Sequence, residues 1–234
     1  MRGSLTVILL LTTCVVMLVG GGYSAVLEAQ PFLSSGPAID DDVTRLVAGV
    51  PGQPVSVQAM ATTLVTCFDT LHAFAGEALP SEQRRALVQH CGEFARAAAS
   101  ANPTDSYAFF IGAESAAELG DRAGFNAALQ TSQRVAPWLG WVAQERFDLA
   151  RERQALLAAQ TQQGFDHDIL VLATTPRGLA DLAANYAADP DFRLRVIPLI
   201  GSLEPAEQQQ FVDAVKVAGA KASVPSARPQ DSSQ

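Results

Sequence analysis

The stretch LVTCFDTLHAFAGEALPSEQRRALVQHC, residues 64–91, holds two of the chain's three cysteines and decides how the protein folds. Upstream of its turn, Met60, Leu64, Cys67, Leu71, Phe74 and Ala78 are spaced 4, 3, 4, 3, 4, which is a single narrow stripe along one helix face. Downstream, Leu87, Cys91, Phe94 and Ala98 repeat the spacing 4, 3, 4. Between them LPSEQ supplies a turn, with Ser81 placed to cap the second helix. Folding an antiparallel hairpin about residue 79 sets Leu71 against Leu87, Leu64 against Phe94 and Cys67 against Cys91. Helix axes about 8–10 Å apart bring seam cysteines within disulfide reach. A Cys67–Cys91 disulfide is therefore expected, with two buried free thiols as the alternative. Cys67, His72, His90 and Cys91 together invite a zinc reading, but the histidines sit off the three- and four-residue spacing that one helix face requires. No Cys-x-x-Cys redox pair occurs.

Working outward, the N-terminus MRGSLTVILLLTTCVVMLVGGGYSAVLEA carries one Arg and then an uncharged, mostly apolar run from Leu5 to Val19. It reads as a membrane-spanning anchor or a cleaved signal peptide over 1–29, crossing an inner membrane through residues 4–27. Arg2 lies before the run; Glu28 and Asp40-Asp41-Asp42 lie after it. That asymmetry places the bulk of the chain outside the cytoplasm, as a single-pass bacterial inner-membrane protein facing the periplasm. Cleavage near Ser24 would instead leave it soluble there. Both topologies permit a disulfide. The net charge of −8 argues against a nucleic-acid partner, which requires a basic face.

Residues 30–56 are rich in Pro, Gly, Ser and Asp and read as a linker with one short helix near 40–48. Alanine-rich sequence with helical periodicity then runs from 57 to 220, and residues 221–234 have no apolar period, as in a disordered tail. The fold class expected is all-α. Within the helical region, 57–103 is the cysteine hairpin and 104–137 a second helix pair broken by LGD at 119–121. Pro103 and Pro137 lie 34 residues apart.

A helix–turn–helix closing on Pro at that interval resembles a tetratricopeptide repeat. Phe109 stands at the family's first aromatic position, Ala113 at a small position, Gly120-Asp121 at the turn and Pro137 at the end. Gly112, Phe125 and Ser132 depart from the pattern. With NPTDSYA, LGDRAGFNAAL and RGLADLAANYAADPDFR added, the chain is similar to small tetratricopeptide-like envelope proteins of bacteria, some associated with surface-polysaccharide assembly. That resemblance implies stacked antiparallel hairpins whose groove binds another envelope protein.

In the C-terminal third, 138–220, WLGWVAQERFDLARERQALLAAQTQQ reads as one long helix over about 138–162. Trp138 and Trp141 near its start are a core anchor or an exposed interaction patch; Tyr107, Phe110 and Glu114 on the preceding repeat are further candidates for an interaction surface. Thr175-Pro176, Asp189-Pro190 and Glu204-Pro205 each start a short helix, Pro suiting the first helical position. Pro198 should end or kink the middle one.

No Gly-rich phosphate loop, Gly-x-Ser-x-Gly elbow or His-Glu-x-x-His motif is present. Asp166, His167 and Asp168 are adjacent, so their side chains diverge on a helix, and they read as acidic first-turn residues. Arg146, Arg151 and Arg153 read as a solvated face paired with Glu145 and Glu152. Asp40-Asp41-Asp42 lacks the spaced ligands of a calcium loop. These residues point to no catalytic site, cofactor or metal. The functions they leave open are an interaction module, a metal or enzyme site of unfamiliar type, and a spacer.

Overall fold

The computed structural model describes residues 2–33, 39–50 and 56–222, and among these every regular element is helical. Parts of the expected linker, at 34–38 and 51–55, and most of the expected tail, at 223–234, lie outside the described residues. The chain divides into two compact units, residues 1–135 and 136–234.

The first unit begins with α1, Arg2–Leu33. Its window Leu10–Phe32 spans 23 residues and is apolar and long enough to cross a membrane. The helix thus outruns the expected boundary at residue 29, because Pro31 stands in the last turn where few helical hydrogen bonds remain to be lost. Glu28 accepts a hydrogen bond from the Ser56 N–H at 2.7 Å, tying the end of α1 to the start of α3, Val57–His72. The region 30–56 is more than a linker. Within it α2, Ile39–Ala48, buries Val43 and Leu46 and packs against α3 and α5, Ser81–Ala101.

Ser56 caps α3 by accepting from the Ala59 N–H at 3.1 Å. Met60, Leu64, Cys67 and Leu71 are buried as the stripe requires. The stripe stops there. Ala73 is extended (φ −74°, ψ 145°), which ends α3 and turns the following short helix α4, Phe74–Glu77, so that Phe74 is 85% exposed instead of buried. In α5 the whole expected stripe of Leu87, Cys91, Phe94 and Ala98 is buried. The cap of α5 falls one residue early, at Pro80, and Ser81 is the first helical residue.

Asp105 caps α6, Ser106–Glu118, by accepting from the N–H groups of Tyr107 and Ala108. Gly120 (φ 77°) makes the left-handed turn into α7, Arg122–Val135, a conformation only glycine adopts without strain. Cross-helix contacts give the directions. Arg84 near the start of α5 pairs with Glu118 at the end of α6, and Ser132 Oγ near the end of α7 donates to Ser106 O at the start of α6. Both pairs are antiparallel. Phe68 meets Phe110 and His72 meets Glu114, so α3 runs parallel to α6. At Gly92 a Cβ would stand 2.9 Å from Ser115 Cβ, so α5 and α6 approach as closely as they do because position 92 has no side chain.

The second unit holds α8, Gly140–Glu152, α9, Ala159–Ala173, α10, Pro176–Ala188, α11, Pro190–Ile200, and α12, Pro205–Ala222. The single helix expected over 138–162 is two helices joined by a 3-10 turn, Gln154–Leu156. The stripe Val142, Arg146, Phe147, Ala150 would continue through Arg153 and Gln154, which stay exposed, so an uninterrupted helix would bury two polar side chains. Nor is α12 short, at 18 residues. The three Pro starts are where expected, but Thr175 makes no side-chain cap; its hydroxyl donates to Leu172 O at 3.3 Å. Asp189 does cap, accepting from Asp191 and Phe192. Pro198 does not stop α11, which runs to Ile200. It lies on the exposed side, where the carbonyl it leaves unbonded can meet water.

Candidate functional site

The cysteines are joined: Cys67 and Cys91 form a disulfide with Cα atoms 5.7 Å apart. It is fully buried, and it acts as a staple between α3 and α5. Neither histidine joins it. His72 Nε2 contacts Glu114 Oε1 at 2.5 Å, and His90 Nδ1 contacts Leu46 O at 3.0 Å. Among the described residues no group of three His, Cys, Asp or Glu is placed to hold a metal ion.

Of the five residues named as an interaction surface, three are inside. Tyr107, Phe110 and Glu114 are buried against α3: Phe68 lies 6.3 Å from the Tyr107 ring and 5.9 Å from the Phe110 ring, and Glu114 reaches His72. Their helical spacing signals a core face as readily as a binding face, and α3 covers them. Trp138 and Trp141 are the opposite case, exposed at 73% and 52%. Trp138 lies edge-on to His167 with ring centroids 4.5 Å apart.

Concave surfaces lie in both units, among them an apolar one between α10 and α12 lined by Leu179, Ala184 and Val217. In the first unit a groove of about 390 Å³ crosses α5, α6 and α7. Its floor is made of small residues, including Ala95, Ala99, Ala108, Gly112 and Ala116, with Arg96 and Asp121 at opposite charges along it. In the second unit a cavity of about 270 Å³ opens beside Trp141, between the first turn of α8 and the end of α9 with the start of α10. Gln144, Glu145, Thr175 and Arg177 contribute its polar lining.

The acidic and basic clusters dissolve into separate roles. Residues 165–169 lie in the middle of α9, not in its first turn. Asp166 pairs with Arg195, His167 faces Trp138, and Asp168 is buried beneath Arg146. Arg146 is likewise no solvated residue. Arg146 and Asp168 side chains are both 0% exposed; Arg146 Nε donates to Asp168 Oδ2 at 3.0 Å and its Nη1 to Ala136 O at 3.3 Å. This bidentate pair escaped the sequence reading although its signal was present. Arg146 stands on the stripe of Val142 and Phe147, and Asp168 on that of Phe165, Ile169 and Leu172, so one opposite charge lies on each apolar face. Arg151 pairs with Asp189 at 3.3 Å, not with a neighbouring glutamate.

Carboxylates respond to these surroundings. Burial holds the Asp148 carboxyl above its ordinary value, opposed by the hydrogen bond from Gln144 and reinforced by Asp181 and Glu152. Burial likewise raises Asp69, opposed by His72. Asp189 is lowered chiefly by the Phe192 backbone N–H it accepts.

No family model matches the chain, and no curated protein or solved structure shows significant similarity to it, so its site must be read from its own residues.

Proposed function

We propose that the protein is a membrane-anchored helical-hairpin module of the tetratricopeptide-like type, which binds another envelope protein on the periplasmic side of a bacterial inner membrane. Surface-polysaccharide production is the setting its sequence resemblance implies. The observation that carries this reading is the small-residue groove over α5, α6 and α7. Alanine and glycine floors let a partner helix or extended peptide approach the backbone closely, and the Arg96 and Asp121 charges can fix its direction. Further support comes from the order of α3, α5, α6 and α7: first helices parallel and adjacent, second helices antiparallel to them. The apolar span Leu10–Phe32 and the buried disulfide agree with an anchor and an oxidising compartment.

The test is site-specific photocrosslinking in intact cells from a benzophenone amino acid in place of Arg96. A discrete adduct that disappears when Gly112 is changed to Phe supports the reading. Position 112 has no atom within 4 Å of a built Cβ, so Gly112→Phe fills the groove without displacing the core. No adduct, or an adduct indifferent to Gly112→Phe, overturns it. Resistance of the full-length chain to alkaline extraction from membranes checks the anchor separately.

A further inference from the structure

We propose that the first unit rests directly on the lipid bilayer, held there by the Glu28–Ser56 contact, with Phe32 and Val57 as the side chains that meet the lipid. The inference rests on the reading of α1 as an anchor and adds to it which end of the folded body touches the membrane.

The first argument is length. No charge interrupts the chain between Arg2 and Glu28. On a helix rising about 1.5 Å per residue, those two residues stand about 39 Å apart. The hydrocarbon core is about 30 Å thick and the bilayer with its headgroups about 40–45 Å, so both charges fall in the headgroup layers. Tyr23, 65% exposed on α1, lies just inside Glu28, at the lipid–water boundary where the tyrosines of membrane spans gather.

The second argument is where the folded body begins. Every residue of α1 from 10 to 26 is exposed, and every one from Leu27 to Pro31 is half-buried. The body therefore meets α1 on the turn that holds Glu28, and no linker separates it from the span. There Glu28 accepts the Ser56 N–H at 2.7 Å, a charge-assisted bond that a layer poorer in water than bulk solvent strengthens. Because α3 starts at the next residue, Val57, its first turn lies at headgroup depth. A flexible linker would let the domain drift from the surface; a continuous helix pinned at its end holds it there.

The third argument is the side chains that flank this contact. Phe32, one turn past Glu28 on the same side of α1, is 52% exposed, and Val57, next to Ser56, is 59% exposed. At headgroup depth such residues reach the acyl boundary, as the apolar face of an interfacial helix does. A protein partner at this place would have to displace lipid first. Phe74 is more exposed, at 85%, but it follows the far end of α3, about 22 Å along the helix from Val57. Phe68 returns to the Val57 side of α3, and α6 covers it there through Phe110. That side of α3 therefore cannot lie flat on lipid, and its far end stands off the surface with Phe74 in water.

The experiment is spin-label accessibility on the full chain in nanodiscs of phosphatidylethanolamine and phosphatidylglycerol. Cys14→Ser removes the free thiol and leaves the Cys67–Cys91 disulfide intact. Labels are then attached one at a time at Val16→Cys, Phe32→Cys, Val57→Cys and Phe74→Cys. Collisions with oxygen, which concentrates in lipid, are compared with those of a water-soluble nickel chelate. The oxygen-to-nickel ratio at Phe32 and Val57 should exceed that at Phe74 about threefold or more, and fall below that at Val16. Glu28→Ala should lower the ratio at Val57, whereas Glu28→Gln, which keeps an acceptor oxygen, should preserve it. If Glu28→Ala fails to fold, the four labelled positions carry the test alone. A ratio at Val16 as low as in water would mean that α1 is no anchor, and both readings fall. A lipid-like ratio at Val16 with Phe32 and Val57 no higher than Phe74 leaves the anchor standing and overturns the docked body. A ratio at Val57 that Glu28→Ala leaves unchanged overturns it as well.

Discussion

The two units hold a helix pair in register by opposite means. In the first, α3 and α5 share an apolar seam of Leu64, Leu71, Leu87 and Phe94, locked by the Cys67–Cys91 disulfide. In the second, α8 and α9 meet through the Arg146–Asp168 pair, which is sealed from water among Phe147, Phe165 and Ile169. A disulfide stabilises mainly by restricting the unfolded chain, so its contribution depends on the redox state and little on what surrounds it. A buried ion pair must first overcome the desolvation of both charges, so it contributes little net stability while making one pairing of the helices far better than any shifted one. Covalent constraint and charge complementarity are thus alternative answers to the same problem. Alanine-rich helices offer too few large side chains to fix their own register.

Removing one charge should have the largest effect. Arg146→Ala leaves Asp168 buried and unpaired and should cost about 3–5 kcal/mol, enough to unfold the second unit selectively, as read by hydrogen exchange of α8 and α9. The double change Arg146→Met with Asp168→Leu should recover most of that loss. If it does not, the pair contributes more than register. Next comes the staple. Replacing Cys67 and Cys91 together by Ala should cost about 3 kcal/mol in denaturant unfolding under oxidising conditions, and the difference should vanish when both proteins are compared in reductant.

Smaller effects probe how closely the first unit is packed. Gly92→Ala forces a methyl onto Ser115 and should cost about 1–3 kcal/mol. Gly112→Ala, with open space around its Cβ and a helical backbone, should stabilise by about 0.4–1 kcal/mol. Thermal unfolding of the two variants side by side checks the sign.

The smallest effect is a pH dependence in the second unit. Because Asp148 is raised in the folded state, the native protein binds that proton more tightly than the unfolded chain. Its contribution therefore makes stability fall as pH rises from the ordinary carboxylate value through the raised one. Asp148→Asn should remove this slope and raise the melting temperature slightly at neutral pH, leaving it unchanged in acid. Asp189 runs the other way. Its lowered value contributes stability above the ordinary carboxylate value that is lost as pH falls, so Asp189→Asn should be felt at neutral pH and not in acid.

Much of this architecture was written locally. The apolar run of α1, the stripe of α5, the break at Leu119-Gly120-Asp121, and the Pro-led starts of α10, α11 and α12 each depend on residues within a turn or two of one another. The pairing of Cys67 with Cys91 was legible for a related reason: two adjacent helices joined by a short turn leave one antiparallel register that buries both stripes. Tertiary structure decided the rest. Whether Tyr107, Phe110 and Glu114 face a partner or the core depends on α3, which the chain brings back from some forty residues upstream in sequence. Whether the helix of Trp141 runs past Glu152 depends on what its next two stripe positions would have to bury. Arg146 reads locally as a solvated charge and Asp168 as a first-turn acid, and only their meeting explains why both are buried. Helical periodicity reports which side of a helix avoids water. What covers that side is settled by contacts between segments far apart in the chain, where burial, charge pairing and close packing are resolved together.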